Sequence, residues 1–472
     1  MYAFVLLLLV STDSWTHALY DHHDSATFFA SGKAWASGMV PYVDFSDSKG
    51  PLLWLIYAVA YIISPQSVAG VFWLTCINYA FVFAWLYKIA RIYVSGERTA
   101  MLAAMLTALF IFYPWVRYET RAEDFALLFM LWALYHACRL LHGRPDDGGR
   151  AVRWAAGVMG IGMAATLLIK YNVTAIIGVM ALFVLHVAWQ SGKLWQAGRT
   201  MVVSFVLFLA PFVIYMLAVG CFDDFIADYF VGNMQVVARQ HQHMRHPLFM
   251  LIGHWGAMMP YLLAGGVSAI AIARCVTRYR AFVATVFAAT LLLTVTNAFW
   301  LYYYALCAPF VVFGAVALLR SVERHRALSM PSCLAIGAGC VVVVMGMHMA
   351  HGAAWAWSDT PERRTFDSYV DMMSQVQRPR VVYLGMHGMA FGTAVQSLPA
   401  CRYWVSQSGA TPAMDADQRQ AVEQRRPDFV FVLKQNDCPD WLLSLGYVRH
   451  PNDSNLPALL YSSSMSSREV WK

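Results

Sequence analysis

Two histidines stand between two aspartates in the stretch "YDHHDSATFF", residues 20–29, shortly after an apolar run at the start of the chain. A carboxylate in such a polar cluster, with a histidine beside it, could accept a proton from a substrate. Asp21, His23 and Asp24 are the candidate site residues here. A metal site and a solvated loop are alternatives, but a metal needs three or four converging ligands and adjacent side chains diverge.

The segment "PYVDFSDSKGP", residues 41–51, is the second polar cluster, and we expect Asp44 and Asp47 to contact substrate. Lys49 stands just before an apolar helix, where its ammonium could reach a phosphate group at a membrane surface. The alternative for Lys49 is ordinary anchoring of the chain at a membrane interface.

Two more clusters follow. "VRYETRAED" supplies two arginines that suit phosphate oxygens and three acids that suit sugar hydroxyls, unless it is an exposed, self-neutralising turn. These residues are Arg117, Glu119, Arg121, Glu123 and Asp124. "RQHQHMRHP", residues 239–247, includes His243, which we place among the substrate-binding candidates. Its histidines could ligate a metal, although a polar interfacial loop is the favoured interpretation.

The elements that position these clusters are membrane helices. Hydrophobic residues make up 59% of the 472 residues and charged residues 13%, a balance typical of polytopic membrane proteins. Apolar runs long enough to cross a bilayer recur along the chain. The predicted spans are a short first helix and 68–90, 99–115, 124–141, 151–169, 171–189, 199–220, 247–273, 281–297, 300–320 and 331–350. This gives about eleven transmembrane helices. The first run is only about half the length of a span, so either it is a short first helix or the true start lies upstream.

The distribution of Lys and Arg predicts the orientation of these helices. If "PLLWLIYAVAYIIS" lies at the interface, alternate loop edges carry fifteen basic residues on one side and seven on the other. The N-terminus is then cytoplasmic. The first loop (12–66), the 115–123 turn, the 221–246 loop and the turn at Lys170, a further candidate for substrate binding, lie outside. We therefore expect a multi-pass membrane protein whose polar clusters lie on the external face.

The end of the chain differs from the rest in composition. Residues 351–472 mix polar residues with short β-rich runs, "RVVYLGMHG", "DFVFVLK" and "ALLYSSS", and with a helical run, "DADQRQAVEQR". The expected fold is mainly α, with a membrane domain at 1–350 and a small α/β domain at 351–472 outside the cytoplasm. Cys401 and Cys438 could form a disulfide there, or remain free.

Several classes of function have no support in the sequence. The net charge of +7 is spread over short loops, which argues against a nucleic-acid partner. Walker-type, GxGxxG, GxSxG and HExxH motifs do not occur in usable context. We expect no cofactor, and a divalent metal is not favoured.

The order of these parts resembles the GT-C superfamily of membrane glycosyltransferases, specifically the family 39 branch that includes protein O-mannosyltransferases. Members share a first membrane helix, an acidic motif early in the first external loop, and a "G..PY.D..D.KGPL" stretch before a juxtamembrane helix. The matching residues here are Asp24 for the acidic motif, then Gly38, Pro41, Tyr42, Asp44, Asp47, Lys49, Gly50 and Pro51. The usual acidic doublet is Asp24-Ser25 in this chain, so a second carboxylate must come from elsewhere, from Asp21 or from the 119–124 turn.

The resemblance implies transfer of a sugar from a polyprenyl-phosphate carrier to a glycan, lipid or protein acceptor of the cell envelope, with inversion at the anomeric carbon. It also implies a bacterial inner-membrane protein whose active site is periplasmic. Carried over by position, Asp24 would be the base and Lys49 would hold the departing phosphate. Glu123 or Asp124 would supply a second acid, and membrane lipids would surround the chain. The alternative is a transporter or flippase of a lipid-linked glycan. A transporter typically carries charges deep within its helices and related halves, and neither feature is evident in the sequence.

Overall fold

The computed structural model describes residues 1–19, 24–112, 119–142, 149–243, 263, 265–268, 270–271, 280–296, 301–325, 328–350, 355–406 and 410–463. Most of these residues are helical. The helices of the N-terminal part are α1 (Tyr2–Val10), α2 (Asp24–Ala36), α3 (Pro51–Ile63), α4 (Ala69–Tyr93), α5 (Glu97–Ile111), α6 (Ala122–His142), α7 (Arg150–Lys170), α8 (Thr174–Gln190) and α9 (Leu194–Val219). Apart from α2 and α3, which lie in the first loop, they follow the predicted spans to within a few residues.

The helices continue past α9. They are α10 (Phe222–Phe225), a π-helix at Ile226–Gly232, α11 (Asn233–His243), α12 (Arg280–Thr296), a 3₁₀ helix at Leu301–Phe310, α13 (Val311–His325) and α14 (Met330–Ala350). The segment expected as a loop at 221–246 is helical over residues 222–243. Phe225 and Tyr229 of this segment are buried and hold it against the protein. The span expected at 247–273 falls mostly outside the described residues.

Membrane helices are evident from length and apolarity. Within the described ranges, six stretches are long and apolar enough to cross a bilayer: Ala69–Tyr93, Ala122–His142, Arg150–Gln190, Leu194–Val219, Tyr302–Arg320 and Met330–Ala350. Arg150–Gln190 contains both α7 and α8, which a short 3₁₀ turn, Tyr171–Val173, separates. The polytopic, mainly helical fold is thus confirmed, whereas the total of eleven spans stays a prediction.

Close backbone packing brings helices together in the bundle. At Gly160 in α7 an added Cβ would lie 2.2 Å from the carbonyl oxygen of Met201 in α9, so only glycine permits this approach. The other face of α9 exposes large apolar side chains, such as those of Leu207 and Ile214. A surface of this kind suits contact with lipid.

The two short elements expected in the 12–66 segment are helices. α3 begins after the N-cap Gly50 with Pro51 in its first turn, a favoured start because proline lacks the N–H that would be unpaired there. With 13 residues, α3 is shorter than a bilayer is thick. α2 buries most of its side chains beneath the C-terminal part of the chain.

The C-terminal part forms a five-stranded mixed sheet flanked by helices. Its elements are α15 (Pro361–Met373), β1 (Arg380–Leu384), α16 (Phe391–Ala394), β2 (Leu398–Pro399), α17 (Pro412–Glu423), β3 (Phe429–Leu433), α18 (Pro439–Ser444), β4 (Tyr447–Arg449) and β5 (Ala458–Ser463). The strand order is β2-β1-β3-β5-β4. β1 pairs in parallel with β2 and β3, whereas β5 pairs antiparallel with β3 and β4.

This α/β part packs directly on the first loop and on the segment after α9. One apolar core includes Ala26 of α2, Trp54 of α3 and Phe225 together with Tyr383 and Phe431 of the sheet. Cys401 and Cys438 are both free thiols, so the disulfide alternative is not realised. The shared core fixes the sheet above one end of the helical bundle, where the polar clusters lie.

Candidate active site

The first turn of α2 carries the carboxylate of Asp24 into a polar site. Asp24 Oδ2 lies 3.6 Å from Nε of Arg121, and the side chain keeps 29% exposure, so a substrate can reach it. Burial raises the pKa of Asp24, but four neighbouring side chains together lower it by a larger amount. These are Arg121, Lys49, His387 and Lys170. The net effect is a pKa below the ordinary value, which keeps the carboxylate ionised at neutral pH.

The turn before α6 is fixed by a buried network of acids. Arg121 donates to Glu119 Oε1 at 2.8 Å, and the Ser25 N–H donates to Glu119 Oε2 at 3.3 Å. Asp13, fully buried, accepts from Ser25 Oγ at 2.6 Å and from the Thr120 N–H at 2.8 Å. Glu119 and Asp13 therefore join the start of α2 to the turn that carries the arginine.

Lys170 reaches the site from the end of α7. Its backbone is extended (φ −156°, ψ 97°), which breaks the helix, and its ammonium pairs with Glu123 in the first turn of α6. The ammonium also lies 4.1 Å from the ring centroid of Tyr303 and 5.5 Å from that of Tyr302. Arg121 lies 4.6 Å from the Tyr302 ring, so these two tyrosines form an aromatic wall beside two cations.

Lys49 is held by a shaped loop. Gly50 lies so close to α7 that a Cβ there would be 2.0 Å from the carbonyl oxygen of Leu168. The Tyr42 hydroxyl donates to the carbonyl of Lys49 at 2.8 Å. The Lys49 ammonium lies 3.5 Å from the carbonyl oxygen of Asp47 and 5.2 Å from the Phe28 ring centroid. Neither contact neutralises the charge, which remains available to an anion.

Of three further predicted acids, one lies beside Lys49 and the other two accept hydrogen bonds from the backbone. Asp47 is buried beside Lys49, and burial together with the charge of Asp24 raises the pKa of Asp47, although Lys49 acts in the opposite direction. Asp44 instead accepts the N–H of Val40 at 2.7 Å and closes a turn. Asp124 accepts the Arg121 N–H at 2.7 Å and a hydrogen bond from Tyr79, which caps α6.

The structure thus brings together six of the predicted residues, namely Asp24, Asp47, Lys49, Arg121, Glu123 and Lys170, with Glu119 behind them. Asp21, His23 and Arg117 lie outside the described residues. His243 is the last residue of α11, and its side chain lies outside them as well. In the described part of the chain, no three His, Cys, Asp or Glu side chains are grouped so that they could hold a metal ion.

Four contributors were missed from the sequence: Asp13, the Tyr302–Tyr303 pair, His387 and Arg402. The tyrosines stand in a conspicuous aromatic run, "NAFWLYYYALC", but such a run is equally typical of the aromatic belt at a membrane interface. His387 follows β1 in a glycine-bracketed loop, and loops at the carboxyl ends of parallel strands are typical sites of function. Asp13 and Arg402 have no such local signal.

Arg402 connects the C-terminal part to the Lys49 loop. Its guanidinium pairs with Asp224 at 2.8 Å and with Asp228 at 2.9 Å. Its carbonyl oxygen accepts the Ser46 N–H at 2.7 Å. Asn233 lies in the helical segment that also carries Asp224 and Asp228. It donates to the carbonyl oxygen of Ser48, one residue before Lys49, at 2.9 Å.

Comparison with known proteins identifies the fold. Residues 48–216 match the family model described as dolichyl-phosphate-mannose-protein mannosyltransferase. The structure of ArnT from Cupriavidus metallidurans in the apo state superposes with a TM-score of 0.64 at 13% identity, covering 97% of this chain and 95% of that one. This chain has the GT-C fold. The fold expected from the resemblance is therefore confirmed.

Two further structures share the GT-C fold. ArnT from the same organism bound to undecaprenyl phosphate gives a TM-score of 0.60 at 14% identity, with 98% and 96% of the two chains covered. The arabinofuranosyltransferase AftD from Mycobacteria, mutant R1389S class 2, gives 0.51 at 13% identity. The chain covers 41% of AftD's length. A comparison with curated protein sequences returned no match.

Proposed function

We propose that this protein is a glycosyltransferase that moves a sugar from a polyprenyl-phosphate-linked donor to an acceptor hydroxyl. The observation that carries the proposal is the ionised carboxylate of Asp24 beside three cationic side chains, Arg121, Lys49 and Lys170. A proton acceptor and an anion site therefore lie side by side. The family match over residues 48–216 and a fold neighbour that binds undecaprenyl phosphate support the same conclusion.

The reaction follows from this geometry. Asp24 takes the proton of the acceptor hydroxyl as that oxygen attacks the anomeric carbon, and the bond from this carbon to the phosphate oxygen breaks. The phosphate leaves as a monoester and gains one negative charge, which Lys49, Arg121 and Lys170 stabilise. Asp24 then passes its proton to water. A single displacement of this kind inverts the anomeric centre.

The position of the cations also indicates from which side the donor reaches the site. The cations Arg121 and Lys170 sit at the ends of apolar helices and against the Tyr302 ring, where a lipid phosphate can reach them while its chain stays in the bilayer. We place the site on the periplasmic face of the bacterial inner membrane, as the loop charges predict. The acceptor then belongs to the cell envelope, in a lipopolysaccharide or cell-wall glycan.

Mass spectrometry of lipid-linked and envelope glycans tests this function. A deletion strain should lack one envelope sugar and accumulate its lipid-linked form. Wild-type chain should restore the sugar, whereas Asp24→Asn should not, since loss of a general base slows catalysis by roughly 10²–10⁴-fold.

Asp44→Asn is the matched control, because this carboxylate lies in the neighbouring loop and bonds the Val40 N–H rather than facing the site. It should restore the sugar fully. Restoration by Asp24→Asn at equal membrane abundance would remove Asp24 as the base. Reconstituted wild-type chain that moves the donor across a bilayer but releases no polyprenyl phosphate would favour a flippase.

A further inference from the structure

The C-terminal sheet has a cleft of its own, separate from the cations of the active site. It has a volume of about 800 Å³, within the range of roughly 300–1,000 Å³ typical of ligand sites. The cleft lies outside the carboxyl ends of the parallel strands β1 and β3, between Gly385 and Asn436, and is bounded by the start of α17. This edge is the usual ligand position in α/β sheets.

The floor of the cleft is rigid. Gln418 donates to the carbonyl oxygens of Tyr383 and Tyr403, at 3.3 Å and 2.6 Å, and accepts from Ser406 Oγ at 3.0 Å. Ser406 Oγ in turn accepts the Gly385 N–H at 2.8 Å. These bonds fix the end of β1, so the cleft is formed before any ligand arrives.

The rim carries a mixture of hydrogen-bonding groups and an aromatic ring. Asp415, Arg419 and Asn436 provide acceptors and donors, and Trp441 provides a flat apolar face. The guanidinium of Arg419 lies 5.2 Å from the Trp441 ring centroid, which orients both groups. The rim carries one acidic and one basic side chain, Asp415 and Arg419, so it does not favour the binding of a strongly charged ligand. A saccharide, with hydroxyls at its edge and C–H groups on its face, matches this lining.

The cleft ends next to the proposed base. His387 lines it, and the following residue, Gly388, lies against α2 so closely that a Cβ there would be 2.5 Å from Thr27 Oγ1. Thr27 is one turn after Asp24 on the same helix. The His387 end of the cleft therefore lies close to Asp24, so a ligand that reaches past His387 would approach this carboxylate.

We propose that this cleft binds the saccharide part of the acceptor and directs its reacting hydroxyl to Asp24. The inference rests on the proposed function and adds the substrate class and the surface that selects it. It assigns the α/β part a role in acceptor recognition, with Trp441 as the main contact.

Footprinting of the full chain in lipid nanodiscs tests the binding step. The probe is the oligosaccharide fraction released by mild acid from the envelope of a strain lacking this protein, since that fraction holds the unmodified acceptor. The probe should lower hydroxyl-radical oxidation of Trp441 and leave Trp357, an exposed tryptophan elsewhere in the C-terminal part, unchanged. Equal oxidation of Trp441 with and without saturating oligosaccharide would overturn the proposal.

Kinetics of variants provide the second arm. Trp441→Ala should raise the KM for the same oligosaccharides about tenfold, a usual effect of removing an aromatic contact, while kcat at saturation stays unchanged. Slow hydrolysis of the donor by water should also be unchanged. Leu443→Ala, an exposed apolar position on the same helix, is the matched control and should behave as wild type.

The two arms separate this inference from the proposed function. An unchanged KM in Trp441→Ala, with transfer intact, overturns the cleft assignment only. A protein acceptor, modified equally well by wild type and Trp441→Ala, also overturns it. Protection of Trp441 without any sugar transfer or polyprenyl phosphate release by wild type supports the saccharide site and refutes the transferase.

Discussion

Replacing Arg402 by glutamine should loosen the contact between the C-terminal part and the segment after α9. The guanidinium pairs with Asp228, which is 9% exposed, and with Asp224, which is 37% exposed. A hydrogen bond to a charged group contributes about 1.5–3 kcal/mol, but an exposed ion pair contributes little. The Asp228 contact therefore dominates, and we expect a loss of about 2 kcal/mol for the local contact.

A loss of this size increases the population of the locally open state about 30-fold. Amide hydrogen exchange followed by mass spectrometry measures this population directly. Peptides within residues 222–243 should exchange faster by up to that factor. Peptides covering 44–50 should also exchange faster, because Asn233 donates to the carbonyl oxygen of Ser48 and the carbonyl oxygen of Arg402 accepts the Ser46 N–H. The KM for the donor should rise, since the loop carries Lys49.

Arg364→Gln is the control, because its ion pair with Asp359 is exposed on both sides, at 65% and 73%. It should leave every exchange rate unchanged. Exchange in 222–243 at the wild-type rate in Arg402→Gln would refute the claim that this arginine holds the segment. Faster exchange in 222–243 alone, with 44–50 unaffected, would refute the connection to the Lys49 loop.

Three further substitutions have defined outcomes. Lys49→Met should lower the rate of polyprenyl phosphate release about 10²–10³-fold, because the departing phosphate loses a cation, whereas Lys88→Met, over a tryptophan ring in α4, should not. Glu123→Gln removes the carboxylate that pairs with the Lys170 ammonium and should cost about 3–5 kcal/mol of stability. Polyprenyl phosphate should raise the Tm of this variant more than that of wild type, and an equal rise would contradict the pairing. Burial lowers the pKa of Lys33 to about 7, so the unfolded chain binds the extra proton up to its ordinary value of 10.5. Wild-type Tm should therefore rise as the pH increases from 7 towards 10, and Lys33→Met should lose that slope. An identical slope would show that Lys33 is not the group responsible.

The helices were largely predictable from the sequence. Apolar runs with few charges indicate membrane helices, because every backbone group in a bilayer must be paired within the chain. The 13-residue length of α3 distinguishes it from a span, and Gly50-Pro51 indicates its start. The short β-rich runs identified β1, β3 and β5 correctly. The break of one predicted span into a 3₁₀ helix and α13 at Val311 was not predictable, since the residues on both sides of the break are apolar.

The sequence also indicated several charged groups of the candidate site, such as Asp24, Lys49 and Arg121, because acids and bases at the ends of apolar runs are rare and costly. Which of them meet was decided only by the tertiary structure. Asp44 and Asp47 stand three residues apart, yet one closes a turn and the other lies buried beside Lys49. Tyr302 and His387 come from segments hundreds of residues away from Asp24. Local pattern specifies an element and its apolar face, whereas the meeting of distant side chains depends on how all the elements pack together.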